Sequence, residues 1–274
     1  GVRFSQMHFA KSCIRFFVAT LVIYCAASSD VVAKPDSFIV ADADTGEVLL
    51  ERNSDLRLHP AGLTKLITLY AAFSAIQDEE IGLDDIVTIS SFAANEPAID
   101  LGLKAGTKIK LRHLLRAAGV QGANDAATAI GEAVAGSEAS FSNELNVFSK
   151  ELGLSRSTWK NAHGLTQSGH FSTARDISLL MIKHKEVFPD YFNLFGRVTA
   201  DAGIREVTNS ARRLLQDIQG VEAAKYGHTR AAGHNGVVYV RREGRSLVAV
   251  VFGASTTRNL IDNLNQIVEQ SLEA

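Results

Sequence analysis

Two short runs, residues 37–43 and 47–52, place β-branched and apolar side chains on either side of Asp44-Thr45-Gly46, which predicts a β-hairpin. Over residues 64–76 the apolar spacing changes to three and four, with Leu63, Leu66, Ile67, Tyr70 and Phe73 in phase. That period predicts a helix, entered from His59-Pro60-Ala61-Gly62 with the glycine as a tolerable cap. Further amphipathic stretches at 111–118, 125–134, 138–152 and 173–184, broken by glycine-bearing loops, make the middle of the chain mostly helical. Residues 235–242 and 245–253 are β-rich and meet at Glu243-Gly244, a second hairpin signal. Over 260–272, Leu260, Ile261, Leu264, Ile267, Val268 and Leu272 share one face, as in a helix packed on a sheet.

The order of strands, helices, strands and a last helix predicts an α+β layer fold. N-terminal and C-terminal strands are expected in one mostly antiparallel sheet, with flanking helices and an inserted helical lobe. A site is expected at the seam between sheet and lobe. Residues 34–274 read as one domain, since no repeat, low-complexity tract or linker divides them.

Residues 1–33 have another character. Arg3, Lys11 and Arg15 accompany an almost uninterrupted apolar run of 12 residues at 16–27, and Val31-Val32-Ala33 supplies modest side chains before a cleavage point. Twelve residues are too few to span a bilayer and suit the core of a signal peptide, so export is expected. Met7 is a candidate start, giving a shorter basic region. The competing reading is an uncleaved leader, which would then be the route to a membrane.

Composition matters mainly through this division. Residues 1–33 hold three bases and one acid, so removing them takes the net charge from −2 to −4 over 241 residues. Cys13 and Cys25 leave with them, and thiolate, redox or cysteine–metal chemistry is excluded from the remainder. No stripe of Lys and Arg with interleaved aromatics appears, which argues against nucleic acid. None of the eight His forms a His-Glu-x-x-His or similar set, so neither a metal nor a cofactor is expected.

Three short stretches share their spacing with a Ser-x-x-Lys, Ser-x-Asn and Lys-Thr-Gly catalytic set. They read Gly62-Leu63-Thr64-Lys65, Gly122-Ala123-Asn124 and Lys225-Tyr226-Gly227. Around them, in order, stand His59-Pro60-Ala61, Asn124-Asp125-Ala126-Ala127, Asn161-Ala162-His163-Gly164-Leu165, Phe171-Ser172-Thr173-Ala174-Arg175-Asp176, Gly227-His228-Thr229 and Arg241-Arg242-Glu243-Gly244-Arg245. On these motifs the chain resembles the penicillin-binding D-alanyl-D-alanine carboxypeptidases, serine peptidases that trim peptidoglycan stem peptides, over nearly all of residues 37–274.

The resemblance implies roles and also exposes departures. In the family the first serine attacks the D-Ala-D-Ala carbonyl, its lysine eases removal of the proton, and the second serine relays protons to the leaving group. Gly62 and Gly122 occupy those serine positions. Lys65, Asn124 and Lys225 are the retained remnants of the catalytic set, and Lys225, Tyr226, Gly227, His228 and Thr229 the implied substrate-binding run. The family's threonine hydroxyl meets the substrate's terminal carboxylate; Tyr226 brings a longer ring to that position and is expected to narrow or plug the pocket. Thr64 points about 200° around a helix from residue 62, and Ser54 and Ser90 lack a lysine at helical spacing. Arg212 and Arg213 fall out of register with the family's carboxylate-binding arginine and receive no role. The resemblance also implies a further C-terminal domain and amphipathic anchor in many members; this chain stops at the 260–272 helix, and a soluble periplasmic form is expected.

Three functions follow as expectations. The first is a pseudoenzyme without acyl-enzyme chemistry, binding a peptidoglycan stem peptide or a cell-wall protein. The second is a slow hydrolase working through Lys65 and water. The third is an interaction module with an irrelevant cleft, favoured if Tyr226 fills it.

Overall fold

The computed structural model describes residues 37–273; the leader expected over residues 1–33 lies outside them. Strands β1 (Ser37–Asp42) and β2 (Val48–Arg52) form the first hairpin. Its turn is held by the Asp42 carboxylate, which accepts from the Asp44 and Thr45 amides and the Thr45 hydroxyl at 2.8–3.0 Å, while Gly46 takes φ +77°. A 3-10 turn, Ala61–Thr64, leads into α1 (Lys65–Gln77).

The lobe follows as β3 (Ile86–Thr88), α2 (Ser91–Ala94), β4 (Lys108–Lys110), α3 (Leu111–Arg116), a π-helical turn at Ala117–Gln121, α4 (Asn124–Ala135), α5 (Glu138–Leu152), α6 (Ala174–Val187) and α7 (Pro189–Phe192). After the ribbon of β5 (Thr199–Asp201) and β6 (Glu206–Thr208) and the short α8 (Arg212–Asp217) come β7 (Val221–Thr229), β8 (Gly233–Arg242), β9 (Arg245–Ala254) and α9 (Thr257–Glu273).

The main sheet has the order β2-β1-β9-β8-β7 with every neighbour antiparallel, so the two termini do meet in one sheet. Glu243 (φ 54°) and Gly244 (φ 76°) make the two-residue turn between β8 and β9, a geometry that matches the natural strand twist. Alternation along the strands builds two cores. Ile39, Val237, Tyr239, Val248, Val250 and Phe252 face the lobe, whereas Val40, Val238, Val240, Leu247, Ala249 and Val251 face α8 and α9.

The helix α1 departs from the single apolar face read in its sequence. It is buried on nearly all sides, Lys65 included, because α4, α5 and α6 surround it. The two small ribbons, β3–β4 and β5–β6, have no counterpart in the pattern reading. Each strand offers one inward apolar residue, Val87, Ile109, Ala200 or Val207, too short a run for a period of two to register. Among the described residues no helix is long and apolar enough to cross a membrane.

Helix α5 starts at Ser137, whose hydroxyl accepts from the Ser140 amide at 3.1 Å and satisfies one of the free N–H groups of the first turn. Ser137→Ala is expected to cost about 1 kcal/mol and to lower the melting temperature by about 2–4 °C. A melting curve by circular dichroism reads the difference; an unchanged midpoint would remove the cap from the account.

Candidate functional site

A cleft of about 320 Å³ opens between β7 and the lobe, and Gly62, Lys65, Gly122, Asn124, Ser210 and Gly227 contribute to its walls. Four local structures bring these residues together. The 3-10 turn presents Gly62 and hands Lys65 to the first turn of α1. The π-helical turn ends at Gly122 in the left-handed region (φ 85°, ψ 29°), which reverses the chain so that Asn124 opens α4. The edge strand β7 supplies Lys225 to Thr229, and the loop after α5 supplies His163 to Leu165.

Lys65 is 2% exposed, and its ammonium donates to Asn124 Oδ1 and to the His163 carbonyl, both at 2.8 Å. Asn124 Nδ2 in turn donates to the Pro97 carbonyl at 2.8 Å, so the lysine ties α1 to α4 and both to the loop beyond α2. Asp125 locks the same loop from behind, its carboxylate accepting from the amides of Leu101, Gly102 and Leu103 at 2.9–3.1 Å. Burial drives the Lys65 ammonium well below its ordinary value, the Lys225 charge adds to this, and Asp125 and Glu96 oppose it. Lys225 donates to the carbonyls of Ala118 (3.0 Å) and Gly119 (2.8 Å), and burial lowers it to about 7.

At Gly62 the space for a side chain is crowded by backbone. A Cβ built there would lie 2.8 Å from the Tyr226 carbonyl oxygen and 3.1 Å from Gly227 Cα. Gly227 needs its missing side chain for the same reason, because a Cβ on it would strike the Gly62 amide. The ring of Tyr226 is turned aside: its hydroxyl meets His234 Nδ1 at 2.8 Å and its body packs with the α9-side core. The narrowing expected from this residue therefore comes from its carbonyl. His228 contributes to the cleft wall while its ring, on the same strand face as Tyr226, lies 4.2 Å from that of His234, and Thr229 Oγ1 accepts from Thr166 Oγ1 at 3.2 Å.

The other hydroxyls weighed as nucleophiles are committed elsewhere. Thr64 is fully buried against His170, 2.8 Å from its Nε2. The Lys160 amide donates to His170 Nδ1, which places the ring proton on Nε2 and makes the Thr64 oxygen an acceptor. Ser54 hydrogen-bonds Glu51 and Arg175, and Ser90 donates to Glu132 while capping α2.

Two features escape a reading of spacing. Glu96, Glu138 and His163 come from three separate segments, with His163 Nε2 3.4 Å from Glu96 and 3.5 Å from Glu138. Their ligand atoms lie within 4.8 Å of one another, close enough to hold a cation. The Leu165 amide, however, donates to His163 Nδ1 at 3.0 Å, so the neutral ring carries its proton on Nε2, aimed between the carboxylates where the cation would sit. We read the group as a hydrogen-bonded bracket under Lys65. Burial pushes the Glu138 carboxyl up; at Glu96 burial acts the same way, but bonds from His163 and Thr128 and the Lys65 charge leave it lowered. The second feature is Ser210, which lines the cleft with its Oγ buried and without a partner. Arg212 and Arg213, beside it in sequence, are exposed, and Arg213 pairs with Asp217 at 3.3 Å. Only the neighbouring Asn209-Ser210 pair ahead of α8 could have signalled the serine.

Chemically, buried Lys65 lines the cleft and buried Lys225 lies beside Gly122, around a position at residue 62 without a side-chain oxygen. It can accept an oxygen-rich ligand, and Lys65 is placed to exchange a proton inside it.

A profile of the D-alanyl-D-alanine carboxypeptidase family matches residues 25–256. The D-alanyl-D-alanine carboxypeptidase DacC of Escherichia coli (strain K12) is 34% identical over 228 residues, 81% of this chain and 57% of that protein. DacF of Bacillus subtilis (strain 168), also named a D-alanyl-D-alanine carboxypeptidase, is 30% identical over 236 residues, 84% of this chain and 60% of its own length. The chain thus spans about three fifths of these curated relatives. Among solved structures, penicillin-binding protein 6B from Escherichia coli superposes with a TM-score of 0.79 at 28% identity, covering 86% of this chain and 76% of that one. The carboxypeptidase DacD from Francisella tularensis shares the fold, with a TM-score of 0.82 at 24% identity over 87% of this chain and 70% of its own. With a profile match over most of its length and an α+β sheet-and-lobe architecture held in common, the chain belongs to the D-alanyl-D-alanine carboxypeptidase family.

Proposed function

We propose that this chain is an exported, peptide-binding member of the family that has lost serine acyl-enzyme chemistry and acts at the cell wall as a binding or regulatory protein. The observation that carries the reading is the Gly62 position: no side-chain oxygen stands there, and the Tyr226 carbonyl oxygen lies 2.8 Å from the point where a side chain would begin. Lys65 and Asn124 meanwhile line a cleft that stays open, with Lys225 buried beside it. Loss of the nucleophile in an unrelated serine hydrolase costs on the order of 10⁶ in turnover, which sets the scale of the deficit. The turned-aside ring of Tyr226 argues against a cleft that serves no ligand.

The test is labelling with a fluorescent penicillin, paired with calorimetric binding of a stem pentapeptide ending in D-Ala-D-Ala. No covalent band and measurable binding are expected. A band that disappears in Lys65→Ala would overturn the reading.

One observation favours a second reading. Lys65 is held well below its ordinary value, and a neutral amine can act as a general base toward water. Release of D-alanine from the pentapeptide, abolished by Lys65→Ala, would establish a slow hydrolase; no release at millimolar substrate leaves the binding role.

A further inference from the structure

We propose that the outer edge of β4 is a docking surface for an extended acidic peptide, a segment of a partner protein that adds to β4 as a strand and sets an apolar side chain between Ile86 and Ile204. The surface shares no lining residue with the cleft and does not depend on what the cleft binds.

Charge singles out this face. Residues 104–116 hold Lys104, Lys108, Lys110, Arg112 and Arg116 and no acid, in a chain whose net charge is −2. The fold gathers the three lysines around a groove of about 470 Å³ between β4 and the turn that joins β5 to β6. Among the described residues none that lines this groove is acidic, and neither Lys104 nor Lys108 forms an ion pair. Lys110 reaches Asp84 at 3.1 Å, a carboxylate it shares with Arg112.

The same groove carries apolar surface. Ile86 of β3 and Ile204 of the β5–β6 turn line it while remaining 57% and 56% exposed. The turn is held in place from below. Gly203 (φ +80°) lies on the His113 ring, where a Cβ would come within 2.8 Å of ring carbons, and Arg205 donates to the Asp100 carbonyl at 2.9 Å.

The backbone decides which occupant fits. Residues 107–110 all line the groove, against Ile86 alone from β3, so the groove follows the edge of β4. The Leu111 amide donates to the Asp85 carbonyl at 3.0 Å and the Ile89 amide to the Thr107 carbonyl at 2.9 Å, with Val87 opposite Ile109 between them. Antiparallel bonding alternates, so the amides of Lys108 and Lys110 point away from β3. Among the described residues this ribbon has no third strand to receive them. A peptide strand completes such an edge and places alternate side chains on the flanking surface. A lipid headgroup or a polyphosphate would meet the lysines but leave the edge amides and the two isoleucines unmatched. Edge lysines also keep two copies of a chain from pairing; a strand bearing carboxylates meets no such repulsion.

The probe is a fluorescein-labelled peptide of alternating glutamate and valine, titrated with the full chain and followed by anisotropy. Saturable binding is expected, about tenfold weaker in the double variant Lys104→Glu with Lys108→Glu and about fivefold weaker in Ile204→Ser. All three side chains are exposed, so the variants should keep the parent's melting midpoint. Methylating the peptide amides on the glutamates alone or on the valines alone tests strand addition, since only one set faces β4: one form should bind and the other should not. Equal affinities of the two forms would overturn strand addition. No saturable binding at millimolar peptide, or unchanged affinity in the double lysine variant, would overturn the surface. Tighter binding to phosphatidylglycerol vesicles, lost in the same variant, would overturn the peptide in favour of a lipid. A pentapeptide ending in D-Ala-D-Ala should leave the probe bound; displacement would place the probe in the cleft and overturn a separate surface.

Discussion

A variant carrying Gly62→Ser, Gly122→Ser and Tyr226→Thr together is expected to melt well below the parent and to remain unlabelled by a fluorescent penicillin. Each change meets a specific obstacle. The Cβ of a serine at 62 would lie 2.8 Å from a carbonyl oxygen of β7 and 3.1 Å from a backbone carbon. Backbone cannot rotate away as a side chain can, so the strand must move, and overpacking of this kind costs about 1–3 kcal/mol. At 122 the left-handed conformation adds about 1–2 kcal/mol for an L side chain, and the new Cβ would enter the space between Ser210 and Lys225. Tyr226→Thr removes a ring packed on the α9-side core and its bond to His234. The three changes together are expected to cost on the order of 5 kcal/mol, equivalent to a midpoint lower by roughly 10–20 °C. Melting curves and in-gel fluorescence read both parts. A labelled band at an unchanged midpoint would show that β7 yields freely and that the cleft is still arranged for acylation.

Acid is expected to unfold this protein early, through two buried histidines. Burial lowers His170 to about 3, with the charges of His163, His59 and Lys160 acting the same way. His184, whose Nε2 donates to the Leu66 carbonyl at 2.8 Å amid Tyr70, Phe73 and Phe195, is lowered to about 4, again chiefly by burial. In the unfolded chain both return to an ordinary value near 6.5. Below that pH the unfolded chain takes up two protons that the folded chain refuses. Their stabilising contribution is therefore complete above pH 6.5 and is lost as pH falls toward 4 and then 3. Each histidine contributes about 1.4 kcal/mol per pH unit over its window, which gives on the order of 5 kcal/mol for the pair by pH 4.5. Glu138 and Asp176, whose carboxyls burial raises, take up protons sooner in the folded chain and offset part of the loss. Urea titrations between pH 7.5 and 4.5 measure the slope, and His184→Leu should flatten it. A stability independent of pH over that range would refute the assignment.

The outline of the fold was legible wherever local chemistry and long-range packing agree. Asp42 to Gly46 and Glu243-Gly244 carry turn residues whose conformations suit their hairpins, and α9 shows its buried face because only one side meets the sheet. The period of α1 announced a helix but understated its burial, since surrounding helices cover even its polar positions, and no periodicity records what a neighbour covers. The site divides in the same way. Lys65, Asn124 and Lys225 stand in contiguous motifs and could be found by spacing. The Glu96–Glu138–His163 bracket is assembled only by the folded chain, and Ser210 shows in the order of residues only as the Asn209-Ser210 pair ahead of α8. At Tyr226, β alternation sends the ring to the side opposite buried Lys225, an orientation that residue type alone does not record.

The contact of Gly62 with β7 also bears on inheritance. A serine appearing at position 62 by a single substitution would meet the Tyr226 carbonyl before it could meet a substrate. Selection would register the lost stability at once and the gained chemistry only after further changes at 122 and 226. On the binding reading proposed above, the geometry acts as a ratchet, because a serine at position 62 is expected to lower stability before it adds any chemistry.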